Sequence, residues 1–265
     1  VILSCFLCTN SLAEDLNIDA SEVRIDKTNK VIFAEGNVEI SDSFNNLMKG
    51  EKVEYYKSKQ ILRAFGEAEI TTSSKYKVYG RDIFYNKNKG IIYSDNETII
   101  LDKDGNKIEV SMFNYLTKKK MFLSKGDIKI KDRRNNEYFF SEIYIDEKLE
   151  KIVGSDVKSF FNESALKADP RNEPRFFANS ASINKEGVRL EKGIFTTCQN
   201  RPDGKCPPWT IRAKKIKHDS AKKTIYYDSA IVEVYDFPIF YFPKFFHPDP
   251  TVKRQSGFLF PTFKN

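Results

Sequence analysis

Histidine and cysteine are the scarcest of the residues that could carry chemistry. His218 and His247 are the two histidines, and neither has ligand spacing to any of the four cysteines, which argues against a zinc site. The chain has no nucleophile elbow, no phosphate-binding glycine loop and no metalloprotease helix. "DKDGNKIE", Asp102 to Glu109, follows a calcium loop for three residues, but its glycine comes too early. A hairpin turn at Asp104-Gly105 is the better reading. The chain is therefore read as a non-enzyme with no cofactor and no metal. One enzymatic alternative stays open, a β-solenoid carbohydrate-active enzyme, because the separation of two carboxylates is a three-dimensional fact. No segment shows a long helical period.

A 30-residue repeat of half-apolar strands is present instead. "KVIFAEGNVEI" begins at Lys30, and related stretches begin at Ile61, Ile91, Met121 and Ile152. One apolar column runs through Ile32, Leu62, Ile92, Phe122 and Ile152, and a second through Ile40, Ile70, Ile100, Ile130 and Phe160. A turn-former stands between them at Gly36, Gly66, Asn96, Gly126 and Asp156. Further columns follow the same step at Val53, Ile83, Phe113 and Ile143, and at Tyr55, Tyr85, Tyr115 and Ile145. Self-similarity of this kind marks an array whose units bury their apolar faces on their neighbours. Within a unit the period is two, so Ile32, Val38 and Ile40 share a face across the glycine, where a bulge or kink would re-aim the strand. Each unit reads as two strands of roughly seven to eleven residues joined by polar turns such as "YNKNKG". The fold class is all-β. Patterning alone leaves open whether the strands form an ordinary sandwich or a stack with an open apolar interior.

The formal charge of +7 is uneven. Between residues 205 and 223, Lys205, Arg212, Lys214, Lys215, Lys217, Lys222 and Lys223 stand against Asp219 alone, a net of +6. Such a window suits an anionic group, with a solvated strand face as the plain alternative. At the other end, "VILSCFLCTNSLA" reads as a truncated signal peptide over residues 1–13, too short for a stable transmembrane helix. Cys5 and Cys8 would leave with it. Cys198 and Cys206 would remain in an exported chain, where a disulfide is expected, either across the "QNRPDG" turn or to a partner cysteine elsewhere.

The last third changes character. "YDFPIFYFPKFFHPDP" carries Pro238, Pro243, Pro248 and Pro250, dense enough to predict a fixed-shape connector over 236–250 in place of a central paired strand. "TVKRQSGFLFPTF" then alternates as the start of a further strand over 251–265, which predicts that the sequence is cut short.

The stretch Trp209 to Phe263, most specifically "HPDPTVKRQSGF", resembles the LptD family of lipopolysaccharide-assembly proteins at the junction of periplasmic domain and barrel. The repeats from Lys30 to about Phe161 are similar to the OstA-type jellyroll shared with LptA and LptC. The resemblance implies an open, twisted β-jellyroll of repeated strand pairs over 14–235, followed by the start of a truncated outer-membrane β-barrel. It implies lipopolysaccharide transport, with this portion in the periplasm and the whole at the cell outer membrane. Acyl chains would lie in an apolar trough, because each exposed methylene costs roughly 0.8 kcal/mol in water. The candidate lining is Ile32, Ile40, Val53, Tyr55, Leu62, Ile70, Ile83, Tyr85, Ile92, Ile100, Phe113, Tyr115, Phe122 and Ile130. Phe237, Phe240, Tyr241, Phe242, Phe245 and Phe246 would hand the lipid to the barrel, and Arg212, Lys214, Lys215 and Lys217 would meet anionic groups. Implied partners are an LptA-like bridge protein on the strand edge near Val31 to Ser41, an LptE-like lipoprotein plugging the missing barrel, and the outer membrane. Transport energy would come from an inner-membrane ATPase, and nucleic acid is not expected. In family members, cysteines of this domain pair with barrel cysteines, which leaves the connectivity of Cys198 and Cys206 open. A soluble periplasmic LptA-like lipid-bridging protein without a barrel is the alternative reading.

Overall fold

Alternating residues with polar turns between them give strands throughout, and a computed structural model describes residues 16–43, 45–162, 173–199, 207–248 and 252. Two short strands, β1 (Asn17–Asp19) and β2 (Glu22–Asp26), run along the two halves of β3 (Val31–Ser41). The 30-residue repeat then appears as strand pairs: β4 (Leu47–Tyr56) with β5 (Ile61–Thr71), and β6 (Lys77–Asn86) with β7 (Ile91–Ser94) and β8 (Thr98–Leu101). It continues through β9 (Lys107–Val110), β10 (Phe113–Leu116), β11 (Met121–Lys131), β12 (Glu137–Asp146) and β13 (Lys151–Phe160). Five longer strands complete the chain: β14 (Arg175–Asn184), β15 (Gly187–Thr196), β16 (Trp209–Asp219), β17 (Thr224–Val234) and β18 (Phe237–Pro248). No helix occurs among the described residues.

Every rung pairs antiparallel with the next along the chain, so the sheet is one long meander. β7 and β8 together form one rung, and β9 and β10 the next.

The glycine column is where the strands bend. Register slips between Glu35 and Val38, between Ala64 and Glu67, and between Lys125 and Ile128, around Gly36, Gly66 and Gly126. Gly126 has φ +99°, and a Cβ there would stand 2.6 Å from Ser111 Oγ, so only glycine fits. Asp156 takes the left-handed conformation at the corresponding place in β13, whereas at Asn96 the rung breaks outright into β7 and β8. These bends fold the sheet lengthwise into two leaves, and the buried residues of both leaves form one continuous core.

Two columns of turns form the lips of this fold. On one lip, Lys30, Gln60, Gly90 and Lys120 end successive turns in the left-handed conformation, and their carbonyls accept from the amides of Lys57, Lys87, Thr117 and Glu147 at 2.9–3.1 Å. On the other, Asp42, Asp102 and Asp132 cap five-residue turns by accepting from the amide and side-chain nitrogen of Asn46, Asn106 and Asn136.

Two expectations are corrected here. The segment expected as a connector is β18, paired with β17 along its length. Its prolines are tolerated because β18 has a strand neighbour on one side only among the described residues. The N-terminal edge is also not β3, which β1 and β2 cover; the alternation simply begins earlier, at Leu16 and Ile18, so the edge lies one rung further out. The expected signal peptide, and the expected barrel strand apart from Val252, lie outside the described residues.

Candidate functional site

The apolar interior between the leaves changes along the meander. Eleven of the fourteen expected lining residues are buried, while Ile32, Tyr115 and Ile130 are half-buried. All lie on the interior side, but here the leaves pack closely. Two voids of about 30 Å³ lie here, one among Ile70, Ile92, Ile100, Phe113, Tyr115 and Phe122, the other among Ile40, Leu62 and Tyr85.

The lips meet over this packed section. Lys103 of one lip stands 4.0 Å from Glu150 of the other, and Glu150 also pairs with Lys185 of the adjoining turn at 3.0 Å. Beneath this contact the Tyr115 hydroxyl donates to Glu147 at 3.4 Å. Burial, followed by the Glu147 carboxylate, pushes the Tyr115 phenol far above its usual range and Tyr76 up to about 12. Burial also raises the Glu147 carboxyl, against hydrogen bonds from Ser74 and Tyr115 that lower it.

Beyond that contact the leaves part around a cavity of about 440 Å³. Tyr138 and Phe140 of β12, Val157 of β13, Phe176, Ala181 and Ile183 of β14, Val188, Leu190 and Phe195 of β15, Ile216 of β16 and Ile225 of β17 line it. None of the fourteen expected residues does. The 30-residue step ends at β13, so no column in the sequence carries forward onto β14 to β17, and Tyr138, Phe140 and Val157 of β12 and β13 stand outside the columns. Only their two-residue alternation could have marked them. The mouth is polar: Asp104, Asn106, Asp132, Arg133, Arg134 and Asn136 stand on one lip and His218 on the other. Tyr138 donates to Asp132 at 3.2 Å, and burial holds its phenol un-ionised.

The aromatics of β18 divide between the two faces. Phe240, Phe242 and Phe245 lie opposite Val232, Ala230 and Tyr227, which face the interior, and Phe237 lies opposite Val234. Tyr241 and Phe246 lie opposite Ile231 and Tyr226, on the outer face. Phe242 and Phe245 pack on the core, whereas Phe237, Phe240, Tyr241 and Phe246 are 60–71% exposed. His247 is buried beside them, within 2.8 Å of the Tyr227 hydroxyl.

The basic patch on β16 expected to meet anionic groups faces away from the interior, and three of its four cations stand near carboxylates. Arg212 is held by Glu233, Lys215 stands 3.8 Å from Glu191, and Lys217 stands 3.8 Å from Asp219. Cys198 carries a free thiol, raised by burial, and Cys206 lies outside the described residues.

No protein-family model matches the chain. A search of curated proteins gives the LPS-assembly protein LptD of Idiomarina loihiensis, 33% identical over 89 residues, and that of Pseudomonas aeruginosa, 32% identical over 78 residues. The chain resembles the N-terminal OstA-like domain of LptD. The matched stretches cover 34% and 29% of this chain but only 11% and 8% of those LptD proteins, so the chain spans about a tenth of the relatives it matches. LptD of Xanthomonas oryzae is 30% identical over 86 residues, 32% of this chain and 10% of that LptD. Among solved structures, LptH of Pseudomonas aeruginosa, described as an LptA-homologous periplasmic component of lipopolysaccharide transport, covers 54% of this chain and 82% of its own at 14% identity and a TM-score of 0.25.

Proposed function

We propose that this chain carries lipopolysaccharide through the periplasm toward the outer membrane, with the acyl chains held between the two leaves. The observation that carries this reading is the 440 Å³ cavity, apolar inside and polar at its mouth, in a chain similar to LptD. Its size falls within the range of ligand sites, and its division of surface suits an amphiphile whose chains leave water while its head stays wet. The chain performs no reaction on this cargo.

In this account the periplasmic jellyroll begins at residue 14 and includes β18 as its last described rung. The exposed aromatics Phe237 and Phe240 pass the lipid toward a barrel that begins within 251–265. An LptA-like bridge protein adds its strand at the N-terminal edge, which lies on β2, and an LptE-like lipoprotein serves the barrel. Cys198 and Cys206 remain available for disulfides, within this segment or to the barrel.

Photo-crosslinking in cells tests the proposal. A crosslinking residue at Val157 or Phe176, inside the cavity, is expected to give a lipopolysaccharide adduct, and one at Lys214, on the outer face, none. Equal labelling at all three positions, or none at the cavity positions in a folded chain, overturns it. Charged substitutions at Ile83 or Phe113 serve less well. Both are essentially fully buried, so an unpaired charge there would unfold the chain before testing transport.

A further inference from the structure

The turns of the Asp-capped lip repeat with the strands, but the residues at their tips differ. The second and third positions of successive turns are Ser73 and Ser74, Lys103 and Asp104, and Arg133 and Arg134. The two turns before the last, capped by Thr72 and Asp102, are committed to closing the lips, since Ser74 reaches Glu147 and Lys103 reaches Glu150. The third stands over the cavity mouth, where both arginines are exposed and line the opening. Among the described residues neither guanidinium forms an ion pair. The oxygens of Asp132 accept from the amides of Arg134 and Asn136, the Asn136 side chain and the Tyr138 hydroxyl, and not from either guanidinium. That same cap fixes the turn beneath the two arginines. Asp104 is the one other carboxylate at the mouth.

We infer that the Arg133-Arg134 turn is a phosphate-recognition site for the head group of the amphiphile whose chains enter the cavity. Two adjacent guanidinium groups offer forked donors that match phosphate oxygens, and a site at the edge of an apolar space strengthens such contacts. The β16 cations lie on the outer face, away from this mouth, with Arg212, Lys215 and Lys217 near carboxylates. The inference rests on the acyl-chain reading of the interior and deepens it.

The test displaces a fluorescent fatty-acyl reporter from the full chain with bis-phosphorylated lipid A, with the same amphiphile stripped of phosphate, and with inorganic phosphate alone. In the Arg133→Gln/Arg134→Gln double variant the phosphorylated competitor is expected to weaken about ten- to a hundredfold, and the dephosphorylated one to stay unchanged. An Arg212→Gln/Lys214→Gln variant should match the parent for both. Equal loss for the two amphiphiles, or loss for neither, overturns the inference while leaving the acyl-chain reading intact. Inorganic phosphate that binds as tightly as the phosphorylated amphiphile would assign the turn to free phosphate and overturn it as well. A parent chain whose reporter neither amphiphile displaces overturns the acyl-chain reading, and this inference with it.

Discussion

Glu147 is a carboxylate set half-buried beneath the contact between the lips, and its environment works against its charge. Burial raises its pKa, and the hydrogen bonds from Ser74 and Tyr115 offset this only in part. A carboxyl whose folded pKa lies above its unfolded value costs stability as pH rises through the ordinary carboxylate range, because the folded state holds the proton longer. The parent chain should therefore lose stability relative to Glu147→Gln between about pH 4 and neutrality, and the two should converge in acid. Thermal melts across that range check this, and a gap independent of pH would show that Glu147 melts with an ordinary pKa. The seam was not legible in the sequence. Lys103, Glu147, Glu150 and Lys185 are ordinary charges in turns, and their meeting depends on how far the two leaves fold toward each other.

Strand β2 shows how a single element can be both the end of the sheet and the end of its interior. Val23 and Ile25 lie opposite Ala34 and Ile32, so they continue the interior face, yet they are 48% and 56% exposed, with no further rung over them among the described residues. An uncovered apolar edge invites strand pairing, which proteins suppress with charge or use for partners. Ile25→Lys is expected to leave thermal stability within about 0.5 kcal/mol of the parent, as exposed substitutions usually do. The same change should weaken association with an LptA-like bridge protein about tenfold, the effect of roughly one lost contact of 1.4 kcal/mol. Titration by light scattering or calorimetry reads both partners directly, and unchanged affinity would place the docking edge elsewhere. The strands themselves were well marked in the sequence, since the Gly36, Gly66 and Gly126 bends and the apolar columns lie where the spacing placed them, except at Phe160, which ends its column on the exposed face. The edge was misplaced because residues 17–26 form two short strands with no glycine signal between them.

At the scale of the whole molecule, one apolar stripe runs from β2 to β18 and surfaces at both ends, at Val23 and Ile25 on one and at Phe237 and Phe240 on the other. The packed N-terminal section and the open C-terminal section differ in how the leaves meet, not in the alternation of their strands. The sequence therefore marked an interior face along the strands but carried no sign of where along it the leaves part. The repeat is most regular where inward residues such as Ile70, Ile83, Phe113 and Phe122 fill the gap. The cavity opens over the last strands of the repeat and the strands that follow it, where residues from β12 to β17 are brought together by the meander. Its polar rim was equally hidden, because Arg133 and Arg134 read as one more charged turn until the mouth is seen beneath them.

Trp209 gives the most direct test of the central claim that acyl chains occupy this cavity. It is the chain's one tryptophan, buried on β16, with its ring 6.1 Å from Phe195, which lines the cavity. Lipid A carrying bromine on its acyl chains should quench the Trp209 fluorescence saturably, because bromine acts only at short range, and the unbrominated lipid should leave it unchanged. Saturable binding without quenching would place the chains outside the leaves and contradict the account.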